Sequence, residues 1–253
     1  MKVIGSDYDG TLTYGGINEA KILSIQKWRK AGHKFGIITG RGKDFRKDLI
    51  QQFPLLQLDF FAACNGACIL DENGAVVYEA RCSEVIVPEL LAELFGYGCK
   101  YAHIGCERYL CVAENRENIP SYVSEDAARL LKECPHIDHF YQISVQLPSA
   151  EEALAVVEKI NDKYAKWLNP LQNGRCIDIV SVGVNKAQGM YRVMEFFGCS
   201  EGDVITVGDN INDLDMIRSF HSYAMENGVE ETKKTADGVV SDVTEVIERE
   251  LSI

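Results

Sequence analysis

Two acidic boxes stand near opposite ends of this 253-residue chain, and each follows a short apolar run. Val3-Ile4-Gly5 leads into Asp7-Tyr8-Asp9-Gly10-Thr11, and Val204-Ile205-Thr206-Val207 leads into Gly208-Asp209-Asn210-Ile211-Asn212-Asp213. A brief apolar run that stops at a turn reads as a buried parallel strand. Neighbouring parallel strands end along one sheet edge, which is where open α/β sheets bind ligands. Four carboxylates gathered there repel one another unless a cation joins them. Hard oxygen donors suit Mg²⁺, which keeps several waters and bridges to phosphate.

The intervening sequence supports that layout. Strands are expected at 3–7, 34–39 and 60–64, separated by helices at 18–32 and around Phe45, Leu49 and Phe53. In the first helix Ile22, Ile25 and Trp28 share a face and Gly32 ends it; Pro54 stops the second. Residues 68–70 and 75–78 flank Asn73-Gly74, a dipeptide that favours tight hairpins. From about Ala80 to Val182 the rhythm changes. Helices are expected at 83–95, 121–132 and 151–164, with strands at 100–104, 109–113, 141–146 and 175–180. The strand–helix alternation then resumes with a helix at 186–197, a strand at 204–207, a short helix near 212–219 and strands at 221–225 and 238–240. The expected architecture is α/β. Residues 1–80 and 183–253 form a Rossmann-like parallel-sheet core, and 81–182 form an inserted α+β cap domain.

Composition narrows the classes of partner. The net charge of −12 comes with no basic patch or stripe, which argues against nucleic acid. No segment is long and apolar enough to span a bilayer. Met1 runs into the first strand without a basic or signal-like stretch, so the chain reads as cytoplasmic. The nine cysteines lack CxxC spacing and read as reduced, buried small hydrophobes. Cys99, His103, Cys106, Cys111, Cys134, His136 and His139 fall in the middle third, but their spacing matches no familiar zinc pattern.

Lys186 sits in the first turn of its helix, behind an expected Asn185 cap. A cation there opposes the positive end of the helix dipole, unless an anion faces both. A solvated surface lysine is the alternative reading. Thr39-Gly40 ends the second strand and offers a hydroxyl and a closely approachable backbone N–H to an oxyanion.

In this order the DxDGT box, Thr39-Gly40-Arg41, Lys186 and the GDxxND box resemble the haloacid dehalogenase superfamily of phosphohydrolases. The insertion point, Cys64-Asn65-Gly66-Ala67 and Ala224-Met225-Glu226-Asn227-Gly228 resemble its Cof-type branch, subfamily IIB, with a C2 cap. Around Lys186 the chain departs from the common Lys-Gly pattern, with Ala187 next and glycine only at Gly189. The resemblance implies a Mg²⁺-dependent phosphatase acting on small phosphorylated metabolites, sugar phosphates first. Asp7 would be the nucleophile and Asp9 the general acid and base. Thr39, Gly40, Lys186 and Asn212 would hold phosphate. Asp7, the Asp9 carbonyl, Asp209 and Asp213 would hold the metal. A mobile cap would exclude water, with hinges near Ala80 and Gly183, and His103, Arg108, Arg175 and Asp178 are its polar candidates for leaving-group recognition. A sugar phosphomutase of the same superfamily and a non-catalytic phosphatase-like binding protein remain open at this point. A signalling receiver is disfavoured by the Asp7/Asp9 box and by the insert.

Overall fold

The computed structural model describes residues 1–82, 85–106, 109–133, 137 and 139–252. The chain divides into two compact units, Met1–Tyr78 with Asn185–Ile253, and Glu79–Val184.

The first unit opens with β1 (Val3–Ser6), α1 (Glu19–Lys30), β2 (Lys34–Ile38), α2 (Phe45–Gln52), β3 (Phe60–Ala63), β4 (Cys68–Asp71) and β5 (Val76–Glu79). The second contains α3 (Val87–Gly96), β6 (Tyr101–Gly105), β7 (Tyr109–Ala113), β8 (Ala128–Leu130), β9 (Gln142–Gln146), α4 (Ala150–Tyr164), β10 (Leu168–Asn173) and β11 (Cys176–Ser181). The first unit is completed by α5 (Lys186–Phe197), β12 (Val204–Gly208), α6 (Leu214–Ser219), β13 (His221–Met225), α7 (Glu230–Thr235), β14 (Gly238–Val240) and α8 (Val243–Leu251).

The sheet of the first unit runs β14-β13-β12-β1-β2-β3-β4-β5. The strands from β14 to β3 are parallel, and β4 turns antiparallel to β3. Every residue of β1, β3 and β12 is buried, as expected of strands covered on both faces. One face packs Val3, Ile38, Phe60 and Val204 against Met190 and Val193 of α5 and Met216 of α6. The chain leaves β1 toward β2 on one side and returns through β12 on the other, so the order of strands reverses between β1 and β12. That reversal is the switch point at which such sheets open a crevice.

The buried stripe of α1 differs from the expected one. Ile25 and Trp28 are fully buried, but the third member is Lys21, 1% exposed, while Ile22 is only half-buried. The Asn73-Gly74 turn closes as read: Asp71 Oδ1 accepts from Asn73 N and Ala75 N, and Gly74 takes φ +85°.

In the second unit the sheet runs β10-β11-β9-β6-β7-β8, antiparallel except for the β7–β8 pair. Leu90, Leu91 and Leu94 of α3 and Val156 and Ile160 of α4 share a core with Ile104, Val112, Ile143, Val145, Ile177 and Ile179. The helix expected at 121–132 does not form. Residues 128–130 are instead strand β8, parallel to β7, and turns closed on Pro120 and Ser124 precede it. The edge of β7 offers backbone partners, and those bonds outweigh the modest helical preference of Ala127 to Lys132. Strand β10 is additional to the expected strands; it contains Pro170 and lies at the sheet edge, where a missing N–H is tolerated. Helices α7 and α8 are likewise additional to the expected elements. Of the residues of the second unit singled out above, Arg108 lies outside the described residues, as do Cys134 and His136. His103 bonds the hydroxyls of Tyr109 and Tyr122, and Asp178 accepts from Ser144 Oγ at 2.7 Å.

Candidate active site

Asp7 is the first residue past β1, and its N–H donates to Val207 O of β12 at 2.9 Å. Two backbone bonds shape the turn that follows: Leu12 N to Asp7 O at 3.2 Å and Thr13 N to Tyr8 O at 3.0 Å. Gly10 takes φ +79°, and a Cβ there would meet Asp209 Oδ2 at 2.5 Å. Glycine is therefore required on two counts, conformation and close approach. Thr11 Oγ1 donates to Asp209 Oδ1 at 2.8 Å, so the two acidic boxes are joined directly.

Asp7 and Asp213 are 5% and 0% exposed, and Lys186, at 1%, bridges them. Its Nζ donates to Asp7 Oδ1 and to Asp213 Oδ1 at 2.6 Å each. This disposes of the solvated-lysine reading and resolves the conflict with the helix dipole, because the anions facing the ammonium are the protein's own carboxylates. Asn185 caps α5 as expected, accepting from Gln188 N at 2.8 Å. The second oxygen of Asp213 accepts from the backbone N–H groups of Asp209 and Asn210, each at 2.9 Å.

Carboxylate oxygens of Asp7, Asp209 and Asp213 lie within 4.8 Å of one another. Among the described residues this is the only group of three or more His, Cys, Asp or Glu able to hold a metal ion. Three carboxylates share one buried ammonium, and the electrostatics register the imbalance. Burial, followed by the charges of Asp213 and Asp209, pushes Asp7 up to about 8 against the pull of Lys186. Asp209 is also raised, first by burial and then by Asp213. Burial alone would lower the Lys186 pKa, but the carboxylates of Asp213 and Asp7 reverse that, and the group stays an ammonium. The donor set fits a hard divalent cation. Lys186 takes one Asp7 oxygen, Thr11 takes one Asp209 oxygen, and Asp213 has both oxygens engaged. A cation placed there would meet the carboxylates of Asp7 and Asp209, with the charge of Asp213 behind them.

Asp9 is placed differently. Its exposed carboxylate is clasped by Arg41, Nε to Oδ2 at 2.8 Å and Nη2 to Oδ1 at 2.7 Å. The guanidinium lies over the rings of Tyr8 and Phe45, 5.2 and 4.3 Å from their centroids. Thr39, 1% exposed, is the first residue past β2, the neighbour of β1; its Oγ1 accepts from Arg41 N at 3.2 Å. Gly40 is half-buried beside it, and Asn212 is half-buried in the turn before α6.

Arg41, Thr11 and Asn227 also shape the site, each in a stretch that the sequence marks without assigning the residue a role. Asn227 Nδ2 donates to Gly10 O at 2.9 Å, and a Cβ at Gly228 would strike Asp209 O at 2.7 Å. The loop after β13 therefore seats on both acidic boxes. Their signal was position: each follows a core strand at its carboxyl end.

Gly189, three residues past Lys186, makes a close contact of its own. The left-handed Cys64-Asn65-Gly66 turn after β3 packs against the first turn of α5, and a Cβ on Gly189 would lie 2.9 Å from Gly66 Cα. This contact sets how close the amino end of α5, and with it Lys186, approaches the sheet. Gly189→Ala is expected to destabilise the protein by about 1–3 kcal/mol, the range for overpacking, and to lower turnover through displacement of Lys186. Urea unfolding and steady-state kinetics would check both; wild-type values in each would show that the contact is slack.

A buried Asp–Lys–Asp bridge and an acidic triad at the switch point of a largely parallel sheet place the chain among α/β proteins that gather charged groups at a ligand-binding edge. The chain belongs to the haloacid dehalogenase-like hydrolase family, whose model matches residues 4–247. It is 25% identical to the 5-amino-6-(5-phospho-D-ribitylamino)uracil phosphatase YbjI of Escherichia coli, over 90% of this chain and 86% of that one. It is likewise 25% identical to YitU of Bacillus subtilis, which bears the same activity name, over 93% and 90%. Its fold matches a haloacid dehalogenase-like hydrolase from B. subtilis (TM-score 0.82, 17% identity, 98% and 99% of the two chains) and a subclass IIB sugar phosphatase of the superfamily (TM-score 0.80, 20% identity, all of both chains). Family and relatives together make it a phosphoric monoester hydrolase.

Proposed function

We propose that the protein hydrolyses phosphate monoesters of small polyhydroxylated metabolites through an aspartyl phosphate on Asp7, with Mg²⁺. The observation that carries this reading is the buried Lys186 bridge, which holds the Asp7 carboxylate at the carboxyl end of β1 with Asp213 behind it. Asp7 attacks phosphorus in line and the ester oxygen leaves, taking a proton from Asp9. Asp9 then removes a proton from the water that attacks the acyl phosphate, which frees inorganic phosphate and restores Asp7. Each proton transfer requires Asp9 to turn out of the Arg41 clasp. Thr39, Gly40, Lys186 and Asn212 are assigned to the phosphoryl oxygens. Asp7, Asp209 and Asp213, with the carbonyl of Asp9, would hold the cation, which supplies charge neutralisation and alignment when bound. The polyol class rests on the E. coli and B. subtilis relatives, named for a substrate phosphorylated on a ribityl chain. The inserted unit and a cytoplasmic location belong to the same reading.

Metal addition tests it in two ways. EDTA is expected to abolish phosphate release and Mg²⁺ to restore it. Without metal, Asp7 is raised in the folded state from 3.8 to about 8, so the folded protein holds an extra proton across that range. Its contribution is therefore favourable at low pH, and stability falls as pH rises from about 4 to about 8. A cation competes with that proton, so Mg²⁺ should raise the unfolding midpoint more at pH 8 than at pH 5. No response to Mg²⁺ at either pH would end the metal assignment.

A further inference from the structure

The phosphoryl chemistry leaves several buried charges unused, Lys21 among them. Lys21 lies on the core stripe of α1 between the chain's first acidic box and its last helix. Its Nζ donates to the carbonyl oxygens of Leu12 and Tyr14 at 2.8 Å each and pairs with Asp242 Oδ2 at 2.9 Å. Asp242 is the N-cap of α8, accepting from Thr244 N at 2.8 Å. Both carbonyls belong to the segment that leaves Asp9.

The restraints on that segment come from separate elements. Its start is held by the Asp7–Val207 backbone bond, its middle by Asn227 on Gly10 O and by Thr11 on Asp209, and its exit by Lys21. Immediately beyond lie Gly15 and Gly16, both at positive φ and both with open space around them. Within the turn, Tyr14 N donates to Thr11 O and Gly16 N to Thr13 O, and Lys21 adds the tie from this exit to α1 and α8. An aliphatic side chain on this stripe would bury more easily than an ammonium, and buried ion pairs are often replaceable by hydrophobes without loss of stability. What the ammonium adds is a directed grip on two carbonyls and a tie to α8.

We propose that Lys21 is a positioning residue for the reaction: it fixes the exit of the turn that carries Asp9 and, through Asp242, couples that turn to α8. The proposal rests on the reading of Asp9 as proton donor. A displaced donor matters most when the leaving oxygen needs its proton. Alkyl esters should therefore suffer more than nitrophenyl phosphate, whose leaving group departs as an anion.

The test compares Lys21→Met, Asp242→Asn and Lys2→Met. Lys2 pairs with Glu250 on the same helix, α8, so its variant controls for a general loosening of that helix. For an alkyl phosphate, kcat/KM should fall about 10- to 100-fold in Lys21→Met, with a smaller fall for nitrophenyl phosphate. Asp242→Asn, whose side chain is part-exposed and whose effect on folding is milder, should change the ester ratio in the same direction. Lys2→Met should leave the ratio unchanged. Amides of residues 8–14 should exchange hydrogen faster in Lys21→Met and Asp242→Asn than in Lys2→Met. Equal losses on both esters, or exchange at residues 8–14 no faster than in the control, would overturn the proposal. If the wild type releases phosphate from no ester, the functional reading fails instead, and exchange alone decides whether Lys21 anchors the turn.

Discussion

Asp7→Asn is expected to lower phosphate release more than about a thousandfold, the scale on which removal of a nucleophile acts, while the protein stays folded. The amide is nearly isosteric with the carboxylate but is a far weaker nucleophile toward phosphorus. Structurally the substitution relieves a burden. Asp7, Asp209 and Asp213 crowd around one ammonium, and burial already pushes Asp7 up to about 8. Lys186 keeps Asp213 as its partner in the variant. The unfolding midpoint at pH 8 without metal should therefore hold or rise. Borohydride reduction of the working wild-type enzyme should convert residue 7 to homoserine, and the variant should show no such product. A variant that keeps a tenth or so of the wild-type rate would remove Asp7 as nucleophile.

Lys186→Met is expected to damage stability and turnover together. Breaking a buried pair by removing one partner costs about 3–5 kcal/mol, because the remaining charge lacks compensation. Here two carboxylates lose the same ammonium, although proton uptake by Asp7 offsets part of that loss. The sign of the pH dependence follows from the direction of the shift. The Lys186 pKa is raised in the folded state, so its contribution is full below the ordinary lysine value of about 10.4 and disappears as pH rises through the folded value. The gap between wild type and variant should thus be wide near neutrality and close under strongly alkaline conditions. Urea unfolding at pH 7.5 and above pH 10 would measure it. Equal stability of the two proteins at neutral pH would mean the bridge does not form in solution.

The first outcome separates this enzyme from a phosphatase-like binder; the loss of stability in the second does not. A binder would tolerate Asp7→Asn without any catalytic consequence, whereas Lys186→Met would still unfold it. The pair of variants therefore reads chemistry and architecture independently.

Much of the candidate site is legible in the sequence. Asp7, Asp209 and Asp213 follow apolar runs, and parallel strands carry whatever ends them to one edge. Lys186 was suspect because a cation at a helix amino terminus needs a reason. Asn185, Gly32 and Asn73-Gly74 were readable as caps and turns, whose chemistry is local. The misreadings share one cause. The segment 121–132 has helical composition, but the open edge of β7 recruits it as a strand. Ile22 looked like a core residue by spacing, yet the stripe rotates to bury Lys21, because only the folded chain brings the Leu12, Tyr14 and Asp242 oxygens to its ammonium.

The order of apolar runs and acidic boxes along the chain was enough to specify a parallel α/β core, its chemistry-bearing edge and the identity of the charges there, since strand direction and turn preference are properties of short segments. The pairing of those charges was not. That Lys186 spans Asp7 and Asp213, that Arg41 grips Asp9, and that Gly189 meets Gly66 depend on distances between segments far apart in the chain, and close packing alone sets such distances.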